Sequence, residues 1–400
     1  MLSHPDGVPM IYLDHHATTP VDPRVVQAML PWMTTHFGNP HSHTHAVGRH
    51  AAAACDEAVG SIVAAIGASG DSILVTSGAT ESNNLAIDGV MRHPRQKRRH
   101  VITAATEHPA VLDPIARLAK EGFRVTILPV RQQDEHRCGM VDPEALREAI
   151  DDDTALVSIM WANNEIGTLQ PIGQLAEIAH SAGALFHTDA TQALGRIAVD
   201  VDLADVDLMS GSAHKFYGPK GVGFLFVGAK RRRVRLRPIL EGGGQQRGLR
   251  SGTLNSAGLI GMAEALRICT AEMSAQSPRL RDLRDSLWKA LSHEFPGIEL
   301  NGPPLDPEIR LNENLNVSLR DIEGETLMAA APELAISSGA ACSSVDPRPS
   351  HVLTAIGLSE SRARRSLRFG LGRGTTADEI SAAVEMLVAG YRRLTASTSA

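Results

Sequence analysis

A lysine in a small, polar stretch is the first feature of this 400-residue chain whose surroundings suggest chemistry. Lys215 lies in a loop, and residues 218–227 after it are typical of a turn and a buried strand. Upstream, Asp189 follows another short apolar run. A lysine and a carboxylate at two strand ends are what a pyridoxal phosphate site requires, because the aldehyde needs an amine and the pyridinium nitrogen needs an anion. Taken alone, the loop is equally typical of a surface lysine beside glycines.

The elements around this pair predict where its members lie. Short apolar strands alternate with helices between residues 72 and 227, which predicts a mostly parallel sheet with crossover helices. Such sheets place ligands beyond the carboxyl ends of their strands. The polar residues that fall at those ends are Thr80, His108, Asn164, Asp189 and Lys215. Their convergence predicts a single site.

Residues 77–81 form a candidate phosphate cup between a predicted strand and a predicted helix. Gly78 and Ala79 allow close approach of the backbone, Thr80 adds a hydroxyl, and a helix N-terminus favours an anion. A strand, a glycine turn and a helix occur in many α/β proteins, so the motif alone decides little. The sequence contains neither a Walker loop nor a GxGxxG motif after a strand.

Histidines occur in two settings that suggest different roles. His108 precedes a predicted helix, where it could cap or pack, or stack on an aromatic cofactor and move a proton. His41, His43 and His45 alternate in a polar loop. Alternate residues of an extended segment share a face without closing a tetrahedral shell, so we predict no metal site.

Two reactive side chains lie in the last third of the chain. Cys342 follows a run of Ser, Gly and Ala that cannot contribute much to a core, so we expect a mobile loop at about 335–350. Most single cysteines are inert and buried, but these neighbours argue against burial. Arg368 lies inside an apolar run, where its guanidinium needs a carboxylate from the protein or from a substrate.

Composition excludes some classes of function. A net charge of −6 gives no reason to expect nucleic-acid binding, and we interpret the basic run at 230–237 as a strand with one solvated face. The four cysteines have no metal or secretory spacing, and the sequence contains neither a leader pattern nor a long apolar run. We therefore expect a soluble, cytoplasmic protein that does not bind membranes. The predicted domains are a large one at 22–268 and a small one comprising 1–21 and 269–400.

Ten short motifs carry a family resemblance between residues 11 and 387. They lie at 12–14, 17–20, 37–40, 77–82, 106–108, 163–167, 189–192, 214–215, 250–253 and 337–342. With them the chain resembles the pyridoxal-phosphate-dependent cysteine desulfurases of the NifS/IscS-like group, within the class V aminotransferases. The resemblance implies an α/β chain of fold type I, whose large domain has a mostly parallel sheet flanked by helices and whose smaller domain is α+β.

The resemblance also implies roles for individual residues. Lys215 would hold the cofactor covalently and remove the substrate Cα proton, Asp189 would pair with the pyridinium nitrogen, and Gln192 would bond the ring hydroxyl. His108 would stack on the ring and assist proton transfer. The phosphate would contact Ala79, Thr80, Ser212 and His214, together with Thr253 from a second subunit, so a homodimer is implied. Arg368, helped by Asn39 and Asn164, would fix the carboxylate of L-cysteine.

The implied activity converts L-cysteine to L-alanine. The sulfur would pass to Cys342 as a persulfide and then to an acceptor protein for iron–sulfur cluster assembly or another thiolation. Alternatives are a selenocysteine lyase or related β-lyase, an aminotransferase of the same fold, and a non-catalytic scaffold that retains the fold.

The sequence departs from the family pattern at three places. Gln246 replaces the usual acidic residue of the glycine-rich loop at 240–254, and Ala340 replaces a common serine. The tail that ends at Ala400 lacks the extension with which the housekeeping type docks its iron–sulfur scaffold, which leaves the acceptor open.

Overall fold

The computed structural model describes residues 2–3, 9–69, 73–228, 233–338 and 349–398. Its strands are β1 (Leu2–Ser3), β2 (Pro9–Tyr12), β3 (Ile73–Thr76), β4 (His100–Ala104), β5 (Arg124–Leu128), β6 (Thr154–Ser158), β7 (Leu185–Asp189), β8 (Leu208–Ser212), β9 (Gly223–Val227), β10 (Glu299–Leu300), β11 (Asn314–Ser318), β12 (Leu334–Ala335) and β13 (Ser366–Gly370). Its α-helices are α1 (Pro23–Thr34), α2 (Ala46–Ala65), α3 (Ala79–Met91), α4 (Pro109–Lys120), α5 (Pro143–Ala149), α6 (Ile172–Ser181), α7 (Ser256–Glu294), α8 (Gly324–Ala329), α9 (His351–Ala355), α10 (Glu360–Arg364) and α11 (Ala377–Thr398).

The central sheet has seven strands in the order β3-β9-β8-β7-β6-β4-β5. Strand β9 is antiparallel to β3 and β8, and the other neighbouring pairs are parallel. Consecutive strand residues contribute to different core clusters: Leu74 packs in one with α3 and α4, and Val75 in another with α2, α6 and α7. Helices therefore cover both faces, which explains why β3 and β6 are buried at every residue.

Three glycines let the backbone pack closely at one end of this sheet. A Cβ atom on Gly223 would lie 2.4 Å from the carbonyl oxygen of Gly211 and 2.6 Å from the Cα of Gly78. Side chains at these positions would push the strand ends apart. The turn before α3 is thereby held against the ends of β8 and β9.

A second core cluster lies around two smaller sheets. Strands β10, β11 and β13 form an antiparallel sheet, and β1, β2 and β12 form another. Leu13, Leu315 and Phe369 are buried between these sheets and the helices α7, α8 and α11. The N-terminal segment thus packs with the C-terminal third of the chain.

Helix α7 corrects one prediction. The sequence predicts a helix that ends near Met273 and a new one after Pro278, but α7 runs unbroken for 39 residues with Pro278 inside it. Its first half packs Leu266 into the large core cluster and its second half packs Leu287 into the smaller one. Burial on both sides offsets the hydrogen bond that proline cannot donate. The domain boundary near residue 268 stays a prediction, and it falls within this helix.

The basic run at 230–237 corrects a second prediction, namely that this segment forms a strand. Residues 233–237, the described part of that segment, belong to no strand. Leu236 is buried, and the Arg237 N–H donates to the Gly89 carbonyl at 2.9 Å. The burial pattern therefore follows the predicted alternation without a strand partner. Among the described residues, no helix is both long enough and apolar enough to cross a membrane.

Candidate active site

A cavity of about 530 Å³ lies at the carboxyl ends of the central strands. Of the residues singled out from the sequence, its lining includes Ala79, Thr80, His108, Asn164, Asp189, Gln192, Ser212, His214, Lys215 and Arg368. Asn39 is exposed outside the cavity, where its side chain accepts from the His41 N–H at 3.0 Å. Thr253 is also exposed and outside it. Cys342 lies outside the described residues.

Lys215 ends a single 3-10 turn directly after β8. Its ammonium donates to the carbonyl oxygens of His16 and Ala17, both at 2.7 Å. Both acceptors belong to the N-terminal segment, which sequence reasoning had not connected to the lysine. The two carbonyls hold the Nζ atom at the cavity wall.

Asp189, the last residue of β7, is buried with both carboxylate oxygens anchored. One accepts from the Asn83 side chain at 2.7 Å and the other from the Thr191 N–H at 2.9 Å. Asn83 is buried on α3, one turn after Thr80, and sequence reasoning missed it. The carboxylate is therefore fixed in orientation before any ligand binds.

Gln192 links the cavity to a histidine that sequence reasoning also missed. Its side-chain nitrogen donates to the His16 carbonyl at 3.0 Å, and its oxygen lies 3.1 Å from the Nδ1 atom of His16. Because that oxygen only accepts, His16 carries its proton on Nδ1. Burial, with Arg196 nearby, lowers the pKa of His16 well below its usual value, so the ring is neutral. Its Nε2 has no hydrogen-bond partner in the described part of the chain.

Gly78, the second residue of the phosphate cup, is the N-cap of α3. Gly78 has φ +150°, a conformation that L side chains rarely adopt, and no side chain caps the helix within the described residues. The Ser212 hydroxyl borders the cup, 3.6 Å from where a Cβ atom on Gly78 would lie. The first N–H groups of a 13-residue helix are thus available to an anion.

Two titratable side chains, Glu81 and His214, lie beside the cup. Glu81 would repel an anion, but Arg250 donates to both of its carboxylate oxygens, at 2.8 and 3.2 Å. Burial alone would raise the pKa of Glu81, yet the hydrogen bonds from Arg250 and Ser77 hold it below its usual value. Burial lowers the pKa of His214 to about 4 with help from Lys215, so His214 acts as a neutral hydrogen-bonding group.

His108 caps a helix and also lines the cavity. Its Nδ1 atom accepts from the Ala110 N–H at 3.1 Å and so caps α4. Burial lowers its pKa, although the charge of Asp189 acts in the opposite direction. The neutral ring then carries its proton on Nε2. His108 also lines the cavity. A ligand there would therefore meet an imidazole ring whose orientation is fixed by its hydrogen bond to α4.

Arg368, on β13, is buried in a group that we call the Arg368 cluster: Arg368, Asp14, Ser337 and Asn164. One terminal nitrogen donates to the Asp14 carboxylate at 2.8 Å and to the Ser337 hydroxyl at 3.0 Å. The other donates to the Asn164 carbonyl at 3.1 Å. The Nε atom has no hydrogen-bond partner among the described residues. Asp14 is thus the protein carboxylate that the sequence required, and part of the guanidinium stays available.

These residues fit pyridoxal phosphate. The cavity combines an amine, a fixed carboxylate, an oriented imidazole and an anion cup, which match the aldehyde, ring nitrogen, ring face and phosphate of that molecule. The buried Thr191 hydroxyl also lines the cavity and has no partner in the described part of the chain. An unpaired buried donor of this kind is costly unless a ligand satisfies it.

Comparison with known proteins places the chain in a family. A model of the family described as aminotransferase class-V matches residues 11–383. This chain belongs to the class-V aminotransferase family. Cysteine desulfurase IscS of Rickettsia bellii is 44% identical to this chain over 384 residues, which cover 96% of this chain and 92% of that protein.

Solved structures agree with this assignment. A NifS-like protein aligns with this class-V aminotransferase at a TM-score of 0.86 and 36% identity, covering 95% of this chain and 98% of that one. SspA in complex with cysteine aligns at a TM-score of 0.78 and 35% identity, covering 90% and 98%. The predicted fold class and the resemblance to NifS/IscS-like proteins are confirmed.

Proposed function

We propose that this protein is a pyridoxal-phosphate-dependent cysteine desulfurase that converts L-cysteine to L-alanine and passes the sulfur to Cys342. The observation that carries the proposal is the single cavity in which Lys215, Asp189, His108 and the phosphate cup lie together with Arg368. Relatives named cysteine desulfurase and a solved relative in complex with cysteine support the same substrate.

The cofactor would be held by residues of the large sheet. Lys215 would bind it covalently, Asp189 and Gln192 would contact the ring, and His108 would stack on it. The phosphate would lie in the cup against Ala79, Thr80, Ser212 and His214. Pyridoxal phosphate, when bound, withdraws electrons from the substrate Cα.

Three side chains would act on the substrate: Arg368, Lys215 and His108. The Arg368 guanidinium binds the substrate carboxylate through the N–H groups that Asp14, Ser337 and Asn164 leave available. The Lys215 amine, placed at the cavity wall by two carbonyls, accepts the Cα proton. His108, neutral because of its burial, carries a proton on Nε2 that it can donate to the substrate.

Cys342 would act in the last step as the nucleophile that accepts the substrate sulfur. Its thiolate attacks the substrate sulfur, an S–S bond forms and the substrate C–S bond breaks. The electron pair of that bond returns to the carbon skeleton, which is protonated and leaves as alanine. The persulfide on Cys342 is then available to an acceptor protein, either an iron–sulfur scaffold or a thiolating enzyme.

An exposed apolar stripe supports a homodimer. Val26, Leu30 and Met33 on α1 are between 49% and 66% exposed, and Phe37 just beyond it is 74% exposed. Their spacing places the α1 residues on one helix face, and contiguous exposed apolar surface of this kind is typical of protein interfaces. A second copy would supply Thr253 to the phosphate cup, as the family resemblance implies. We further expect the protein to act in the cytoplasm, since Cys55, Cys138 and Cys269 are free thiols.

The direct test replaces Cys342. Cys342→Ala should abolish persulfide formation and alanine release from L-cysteine while the absorbance of the bound cofactor is retained, because the thiolate acts only on the substrate sulfur. Mass spectrometry detects the persulfide, and an alanine assay measures turnover. Cys55→Ala is the matched control, because Cys55 is buried and burial raises the pKa of its thiol.

Other outcomes would redirect the proposal. Full desulfuration by Cys342→Ala would overturn the role of that residue. Keto-acid exchange by the same variant would indicate an aminotransferase, and preferential turnover of selenocysteine would indicate a selenocysteine lyase. A wild-type protein that takes up no cofactor would favour a non-catalytic scaffold.

A further inference from the structure

Gln246, where the family pattern has an acidic residue, binds the outer edge of the central sheet. Its side-chain oxygen accepts from the Val75 N–H at 2.7 Å, and its side-chain nitrogen donates to the Val75 carbonyl at 2.9 Å. Val75 lies on β3, an edge strand of the sheet. The carboxamide thus occupies the two backbone groups that an added strand would pair. A glutamate could accept from the N–H, but when ionised it could not donate to the carbonyl.

The backbone around Gln246 needs such an anchor. Gln246 has φ +47° and Arg247 has φ +61°, both in the left-handed region that side chains other than glycine seldom adopt. Strained positions of this kind persist when surrounding contacts hold them, and they concentrate at ligand sites. The paired amide of Gln246 supplies one of these contacts.

A second attachment joins the same loop to the phosphate cup. Arg250 donates to both oxygens of Glu81, at 2.8 and 3.2 Å, and Glu81 accepts from the Ser77 N–H at 2.7 Å. Ser77 and Glu81 are the two ends of the cup. The loop is therefore fixed to the last part of β3 through Gln246 and to the first turn of α3 through Arg250, three residues before Thr253.

We propose that Gln246 is a positioning residue for phosphate recognition: with Arg250 it anchors the loop that carries Thr253 to its own protomer, so that the Thr253 hydroxyl is held in place for the phosphate of the second protomer. The inference rests on the proposed function, in which Thr253 binds the cofactor phosphate of the partner subunit. The contacts of Arg250 with Glu81 at one cup then help to fix the Thr253 hydroxyl that binds the phosphate in the other protomer. A change at one site of the dimer should therefore alter phosphate binding at the other.

The test compares two ligands that differ only in the phosphate. Apoenzyme is titrated with pyridoxal phosphate and with pyridoxal, and binding is followed by absorbance. Gln246→Ala should weaken binding of pyridoxal phosphate about tenfold, the size of one hydrogen bond to a charged group, and leave pyridoxal binding unchanged. Gln174→Ala, which alters an exposed glutamine on α6, is the control and should change neither.

A double variant separates positioning from simple stability. If Gln246 acts through Thr253, Gln246→Ala combined with Thr253→Ala should bind no more weakly than Thr253→Ala alone. Equal losses for both ligands, or losses that multiply in the double variant, would overturn the proposal. Should Gln246→Ala fail to fold, Gln246→Glu keeps one of the two bonds to Val75 and should show about a threefold loss for pyridoxal phosphate alone. A wild-type protein that binds neither ligand would instead refute the proposed function.

Discussion

The phosphate cup and the Arg368 cluster are built in different ways. The cup consists of adjacent residues of one strand–helix turn, and it offers backbone N–H groups with little formal charge. The Arg368 cluster joins Asp14, Asn164, Ser337 and Arg368 across most of the chain and depends on an ion pair in which the guanidinium is buried and Asp14 is partly exposed. A local motif is sufficient for anion binding by the backbone, whereas a buried guanidinium requires the whole fold to supply its partners.

The Arg368 cluster should therefore be the more sensitive to conservative change. Arg368→Lys should lower kcat/KM for L-cysteine about 100-fold, because one ammonium cannot bind Asp14, Ser337, Asn164 and a carboxylate together. Steady-state kinetics measures this loss, and a cofactor titration should give an unchanged affinity. A weakened cofactor affinity with normal kcat/KM would break the distinction between the two regions.

The cup should show the opposite pattern. Gly78→Ala forces an L residue to φ +150°, which costs about 1–3 kcal/mol and should weaken binding of pyridoxal phosphate roughly tenfold or more. KM for L-cysteine, measured with saturating cofactor, should stay close to the wild-type value. Gly60→Ala is a suitable control, because Gly60 is in α2 and a Cβ atom there would meet nothing within 4 Å. An increase in KM without loss of cofactor affinity would contradict this prediction.

Asn83 provides a further test of the comparison, because it lies on α3, the helix that begins at the cup, and its side chain donates to Asp189. Asn83→Ala removes the 2.7 Å hydrogen bond to that carboxylate, so we expect kcat to fall about fivefold with a smaller change in KM. Steady-state kinetics at saturating cofactor separates the two constants. Asn84→Ala is the matched control, since its side chain donates to the Thr80 carbonyl on the exposed side of the same helix. Equal losses in both variants would argue for a general effect on α3.

A consequence that the two regions share is a loss of stability in acid, to which each contributes one histidine. Burial lowers the pKa of His15, beside the Arg368 cluster, and of His214, beside the cup, to about 4. Between pH 6.5 and about 4 the unfolded chain binds protons that the folded chain does not, so stability falls as the pH falls. Each group should contribute up to about 1.4 kcal/mol per pH unit.

Denaturant unfolding at pH 7, 6 and 5 tests this expectation. His15→Gln should reduce the pH dependence, because the Nδ1 atom that donates to the Gly370 carbonyl is replaced by an amide that does not titrate. Stability that rises towards pH 5 would show that these rings are protonated in the folded protein.

The same contrast explains how much of the site could be predicted from the sequence. Lys215, Asp189 and His108 follow strands directly, so the rule that parallel sheets bind ligands at their carboxyl ends was sufficient to group them. Asn83, His16 and the pairing of Asp14 with Arg368 were missed, because they join residues more than 100 positions apart. Neither periodicity nor motif spacing reports contacts of that kind.

Two features of the fold were missed for a related reason. Pro278 predicts a break in a helix, but burial of the residues on both sides of it decides the outcome in α7. The alternating basic run after β9 predicts a strand, but a strand also needs a neighbour with free hydrogen-bonding groups, and β9 already lies between β3 and β8. Local pattern indicates the exposure of each residue, whereas tertiary packing determines the element.

Helix α7 also has a consequence for how the molecule holds together in folding. At about 1.5 Å per residue, its 39 residues span about 58 Å and pass through both core clusters. Loss of either cluster strips apolar contacts from one half of a helix whose other half belongs to the remaining cluster. The free energies of unfolding of the two core clusters are thereby coupled, because one continuous helix contributes apolar residues to both. This coupling should make unfolding of the chain more cooperative.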